Sequence, residues 1–115
     1  MGTTKTIPQL QRRIQQLQRQ IARLGPLHPG TLTQQYNVCG TPGCQCKDPR
    51  HPRKHGPYGL LSFTWGGKST SRFVRAPRAA LIADKLANYK RLRALVDEWI
   101  GLAVELEARE REQSR

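Results

Sequence analysis

The chain has 115 residues, 37% of them hydrophobic, and carries a formal net charge of +12. A chain this short and polar holds one small domain, or a small core with helical arms, and a metal or partner chain would help stabilise it. No apolar run approaches the roughly 20 residues of a membrane span, and residues 1–8 lack the apolar centre of a secretory signal, so a cytoplasmic protein with no membrane partner is expected.

The charge is unevenly placed. Residues 1–96 hold 17 Lys and Arg against only Asp48 and Asp84, a net +15, whereas residues 97–115 are net −3. Such an excess attracts polyanions, nucleic acid ahead of acidic protein surfaces.

Four segments follow along the chain. In residues 1–25, Leu10, Ile14, Leu17, Ile21 and Leu24 alternate in steps of four and three, a coiled-coil-like helical seam. Thr6 is placed to cap this helix, Pro8 falls in its first turn, and Gly25-Pro26 stops it. Its Gln- and Arg-rich outer face has no acid, which excludes an intramolecular salt-bridge lattice. Ile at one seam position and Leu at the other suits a two-stranded homodimer through residues 8–24. Packing on the C-terminal helix of the same chain is the equal alternative.

Residues 26–57 contain six prolines and read as an irregular loop that something must tie down. All three cysteines and two of the three histidines of the chain lie within residues 39–55. In a reducing compartment clustered thiols read as metal ligands rather than disulfides. Thiolate and imidazole are the donors zinc prefers. The favoured set is Cys39, Cys44, Cys46 and His55, with His51 as an alternative fourth ligand. Four protein ligands leave no open position for water, so the zinc would be structural and not catalytic.

Residues 58–76 alternate as two strands about Gly66-Gly67, a pair suited to a tight hairpin turn. Taking Trp65 opposite Lys68 puts Leu61, Phe63 and Trp65 with Thr70, Arg72 and Val74 on one face, and Tyr58, Leu60 and Phe73 with Ser62, Thr64, Ser69, Ser71 and Arg75 on the other. The face with Leu60 and Phe73 is taken as the core side, though the pattern also permits the reverse. Residues 77–115 read as one long helix with an apolar stripe of Ile82, Leu86, Tyr89, Leu92, Val96, Trp99, Ala103 and Leu106, broadened by Leu81, Leu95 and Leu102. The three-residue step from Tyr89 to Leu92 is a local stammer. The expected fold is thus small α+β, with residues 26–115 as one small domain.

The candidate nucleic-acid contacts are Lys47, Arg50, Arg53 and Lys54 in the metal loop, then Lys68, Arg72, Arg75 and Arg78 on or after the second strand. Cations neutralise phosphates and exposed rings stack on bases, which adds Trp65 to the set. Core packing beneath the long helix is the preferred alternative for Trp65 and Phe63. His28, before Pro29-Gly30, reads as a turn residue. No Gly-rich phosphate loop, nucleophile–base set or paired carboxylates appear, so no enzyme is expected.

The stretch Cys39-Gly-Thr-Pro-Gly-Cys44-Gln-Cys46, with His55-Gly-Pro-Tyr58, the Trp65-Gly-Gly-Lys68 turn and Asn88-Tyr-Lys-Arg-Leu92, resembles a family of short prokaryotic proteins of unknown function. Their pattern is CGxPGCxC…HGPY, followed by a hairpin and a helix, and members are often associated with transposases and insertion sequences. The likeness spans about residues 29–100. It implies His55 over His51 as fourth ligand, DNA over RNA as the polyanion, and a transposase as a possible partner. The resulting expectation is a zinc-stabilised nucleic-acid-binding accessory or regulatory protein of a mobile element. The alternative is a protein-interaction adaptor that binds a transposase or other partner through its amphipathic helices.

Overall fold

The computed structural model describes residues 5–37, 42–51, 53 and 55–114, and the side chains of these except residues 37, 46 and 55–57. The fold is small α+β: helix α1 (Ile7–Ala22), strands β1 (Thr31–Asn37), β2 (His55–Trp65) and β3 (Lys68–Val74), and helix α2 (Ala76–Gln113). The chain divides into two compact units, one of Met1–Leu27 with Ala87–Arg115 and one of His28–Leu86.

In the first unit, α1 begins as its sequence dictates. Thr6 and Gln9 form a reciprocal capping box: the Gln9 N–H donates to Thr6 Oγ1 (3.3 Å), and the Thr6 N–H donates to Gln9 Oε1 (2.9 Å). The seam of α1 is filled within the chain. Leu10 and Leu17 are completely buried and cluster with Leu95 and Leu102 of α2. Ile14, Ile21, Leu24, Trp99 and Leu106 pack around them.

A single ion pair crosses between the helices among the described residues, its acid supplied by α2 and not by the acid-free face of α1. Arg13 donates from Nε and Nη2 to the two Glu98 carboxylate oxygens at 2.6 and 2.9 Å. Those hydrogen bonds, with the positive charges of Arg13 and Lys5, hold the Glu98 carboxyl below its ordinary range, and the same bonds, with the carboxylate charge, raise the Arg13 guanidinium above its own. The Asn88 amide donates to the Pro26 carbonyl at 2.8 Å. The asparagine of the Asn88–Leu92 segment thus fastens the turn that ends α1.

In the second unit the strands form an antiparallel sheet ordered β1-β2-β3. β1 corrects the expectation that all of residues 26–57 is irregular. Thr31, Leu32, Thr33 and Tyr36 favour extended backbone, and pairing from Thr31↔Ser62 to Gln35↔Tyr58 supplies the hydrogen bonds. The hairpin keeps its expected register, from Trp65↔Lys68 to Gly59↔Val74. Gly66 and Gly67 have φ of 60° and 77°, the doubly positive geometry of a type I′ turn.

The sheet faces its core with the side opposite to the one preferred from sequence. Leu61 is buried with Ile82 and Leu86 of α2, and Leu32, Phe63 and Val74 pack against them. Phe73 and Tyr58, on the other face, are 67% and 40% exposed. Phe63 joins the core as preferred, whereas Trp65 does not: it is 79% exposed beside the turn.

α2 runs unbroken from Ala76, with Pro77 in its first turn. Leu95 and Leu102 are its most buried residues in the first unit, while Ala103 and Leu81 of the expected stripe are exposed. The three-and-four repeat lapses between Leu86 and Leu95, so each half of the helix serves its own cluster.

Candidate nucleic-acid interface and metal loop

The turn from β3 into α2 gathers several cations around one groove. Arg72 lies on edge strand β3, paired across from Leu61, so alternation points it toward the core side. Its side chain nevertheless remains exposed. Arg75 sits between β3 and α2, and its carbonyl accepts from the Arg78 N–H at 2.9 Å, which tightens the turn. Lys85 follows two turns further along the helix. The four line a groove of about 620 Å³, and among the described residues no Asp or Glu lines it.

The rest of the groove is apolar and aromatic. Phe63, Val74 and Ile82 contribute to its walls, and Phe73 and His28 also line it. His28 is half-buried and held on three sides. Its N–H donates to the Lys85 carbonyl at 3.1 Å, and its Nδ1 lies 2.6 Å from the Pro29 carbonyl oxygen, a contact only a protonated nitrogen makes. Its ring meets Phe63 edge-on, with centroids 4.7 Å apart. His28 lies in the irregular segment between α1 and β1, two residues ahead of the bend at Gly30, and the groove adds a second setting to it.

The solvent face of the hairpin continues from Phe73. Tyr58 and Phe73 meet at 6.2 Å with an interplanar angle of 71°. Beyond them the hydroxyl pairs Ser62–Ser71 (3.1 Å) and Thr64–Ser69 (2.9 Å) bridge the strands. Trp65 and Lys68 stand exposed at the hairpin end.

Of the predicted contacts, Arg72, Arg75 and Arg78 are therefore brought together, and Trp65 and Lys68 lie on the same hairpin. Lys47, Arg50 and Arg53 are exposed in the loop but do not line the groove, and Lys54 lies outside the described residues. Sequence reasoning missed Lys85, His28 and Phe73 as groove residues. They come from three separate segments, and only the pairing of β3 with β2 and the packing of α2 unite them.

For the metal loop, Cys39 lies outside the described residues, as do the side chains of Cys46 and His55. Among the described residues no group of three or more His, Cys, Asp or Glu side chains is placed to hold a metal. Cys44 is half-buried at the start of a 3₁₀ turn over Gln45–Lys47, and His51 is exposed. The backbone closes the loop at two points. Asn37 pairs with His55 across β1 and β2, and the Arg53 N–H donates to the Gln45 carbonyl at 3.0 Å. Gln45 stands between Cys44 and Cys46, and Arg53 is two residues before His55. Asp48 Oδ1 accepts from the Arg50 N–H at 2.9 Å, so its carboxylate serves the loop's own turn.

No helix of the described residues is long and apolar enough to cross a membrane. No curated protein and no solved structure matches the chain. A family model described as a domain of unknown function, DUF6788, matches residues 7–83, which takes in α1, the whole sheet and the start of α2. With more than half of its length matched, the chain belongs to the DUF6788 family.

Proposed function

We propose that this protein binds nucleic acid, DNA in preference to RNA, through the His28–Leu86 unit. The observation that supports this reading most is the groove with Arg72, Arg75, Arg78 and Lys85 on its walls and no acid among them. Four cations without counter-ions favour a ligand that brings its own negative charges in a row, as a phosphate backbone does. The apolar remainder of the groove suits the non-phosphate part of such a ligand.

The reading includes one structural zinc held by Cys39, Cys44, Cys46 and His55. Its support is the pair of backbone closures, which bring the neighbourhoods of Cys44, Cys46 and His55 toward one base. Thiolate–imidazole sets of this kind suit zinc, whose charge would stabilise the ionised thiols. Native mass spectrometry with and without a chelator tests it, and a chain without about one zinc refutes it. The motif resemblance further suggests an accessory or regulatory role in a mobile element, with a transposase as protein partner, in the cytoplasm.

The test of the main reading is an anisotropy titration with labelled DNA and RNA at low salt. Arg72→Glu combined with Arg75→Glu should abolish binding while leaving the circular dichroism spectrum unchanged, since both side chains are exposed. Wild-type protein that binds neither nucleic acid, or a double variant that binds as well as wild type, overturns the proposal. Partner binding that persists at high salt would instead favour the helix-borne adaptor.

A further inference from the structure

We infer that the ligand of this groove is a single-stranded polynucleotide with its bases turned onto the hairpin, rather than a duplex. This deepens the nucleic-acid reading and rests on it. Two independent observations carry it.

The first is the exposure of ring surface where a soluble sheet would ordinarily show polar side chains. Phe73 is 67% exposed and Tyr58 40% exposed on the solvent face of the hairpin, and Trp65 is 79% exposed near its turn. The hydroxyl pairs Ser62–Ser71 and Thr64–Ser69 show that polar side chains are accommodated on that same face. Paired bases in a duplex have both faces stacked and offer nothing to such rings. Unpaired bases present a π-face to any aromatic side chain.

The second is the shape and charge of the adjoining groove. Its volume, about 620 Å³, falls within the range of small-molecule pockets and is far too small to admit a double helix. Phe73 is among the residues lining this groove, while its ring, on the face of the edge strand opposite Arg72 and Val74, meets Tyr58, so a strand leaving the groove over β3 would reach that ring surface. A strand whose phosphates meet Arg72, Arg75, Arg78 and Lys85 would have bases within reach of Phe73 and then Tyr58. A duplex could use only the cations, from outside the groove.

The experiment compares four labelled ligands at one salt concentration: oligodeoxyuridylate and oligouridylate of about 12 nucleotides, within the usual footprint of one binding module, and DNA and RNA duplexes of equal length. Wild-type protein should bind a single strand at least tenfold more tightly than either duplex, and the ratio of the two single strands identifies the sugar preferred. Phe73→Leu should weaken single-strand binding about tenfold, as expected for one lost base stack, and change duplex binding less than twofold. Tyr58→Leu, at the less exposed ring, provides a second variant should Phe73→Leu lose its fold. Equal affinity for single strands and duplexes, or ring variants that bind single strands like wild type, overturns this inference and leaves the nucleic-acid reading standing. Failure of all four ligands to bind overturns both.

Discussion

The groove has a countable charge, and its salt dependence can be worked out before any measurement. A protein that neutralises Z phosphates of a single strand loses affinity with salt along a slope of about −0.7Z in log–log form. If Arg72, Arg75, Arg78 and Lys85 each meet one phosphate, the slope is about −2.8. Raising monovalent salt fourfold, from about 50 to about 200 mM, should then weaken binding about 50-fold. Arg72→Ala should flatten the slope to about −2.1, so that the same change in salt costs about 18-fold. The assay is fluorescence anisotropy over a series of salt concentrations, with wild type and each single cation variant. Steeper slopes would bring Lys68 or the loop cations Lys47, Arg50 and Arg53 into the contact. A slope shallower than about −1, or a slope that Arg72→Ala leaves unchanged, would refute the assignment of phosphates to these side chains.

Leu17→Ala should destabilise the first unit by about 3 kcal/mol, because Leu17 is fully buried and loses three carbons at about 0.8 kcal/mol each plus a cavity contribution. Urea unfolding followed by Trp99 fluorescence, in a Trp65→Phe background, measures it. A loss below about 1 kcal/mol would contradict the packing described. Glu98→Gln removes the carboxylate charge and one of the two oxygens that accept from Arg13. Because the Glu98 carboxyl is held low in the folded chain, its contribution to stability is present above the ordinary glutamate range, near about pH 4.3, and disappears as pH falls through the lower folded value. The gap in melting temperature between wild type and Glu98→Gln should therefore close on acidification, as thermal unfolding over an acid pH series would record. Gly30→Ala should cost about 1–3 kcal/mol or more, since Gly30 has φ +118° and an added Cβ would meet the Ser62 carbonyl and the Phe63 Cβ. Chemical denaturation of that variant measures the loss.

Local signals proved sufficient for some elements and not for others. The Thr6 cap, the Gly66-Gly67 turn and the Trp65–Lys68 register were legible because each depends on residues a few positions apart. β1 was not legible, because six of its seven residues are polar or aromatic and only Leu32 marks a core side. Its hydrogen bonds come from β2, across a long intervening loop, and prolines on both flanks dominate the local pattern. The core face of the hairpin was misjudged for a related reason. Both faces carry rings and aliphatics, and the choice between them is made by Ile82 and Leu86 on a helix whose docking no strand pattern encodes. Arg72, Arg75 and Arg78 could be picked out as close neighbours in the chain. Lys85 and His28 could not, since their place in the groove depends on the His28–Lys85 backbone bond.

The order β1-β2-β3 leaves the sheet with two unpaired edges. Open edges of this kind are where soluble sheets begin to aggregate, and charge or irregularity along them is the usual defence. β1 carries its irregularity between Gln35 and Asn37, and β3 carries Lys68 and Arg72 with Arg75 just beyond its end. The cations assigned here to phosphate contact therefore also guard an edge against another copy's strand. If the proposed contacts hold, neutralising them would remove ligand affinity and colloidal protection together, whereas replacing Phe73 or Tyr58 would remove only ring surface. A nucleic acid seated in the groove would likewise cancel part of that protective charge, so solubility and occupancy are coupled through the same few side chains.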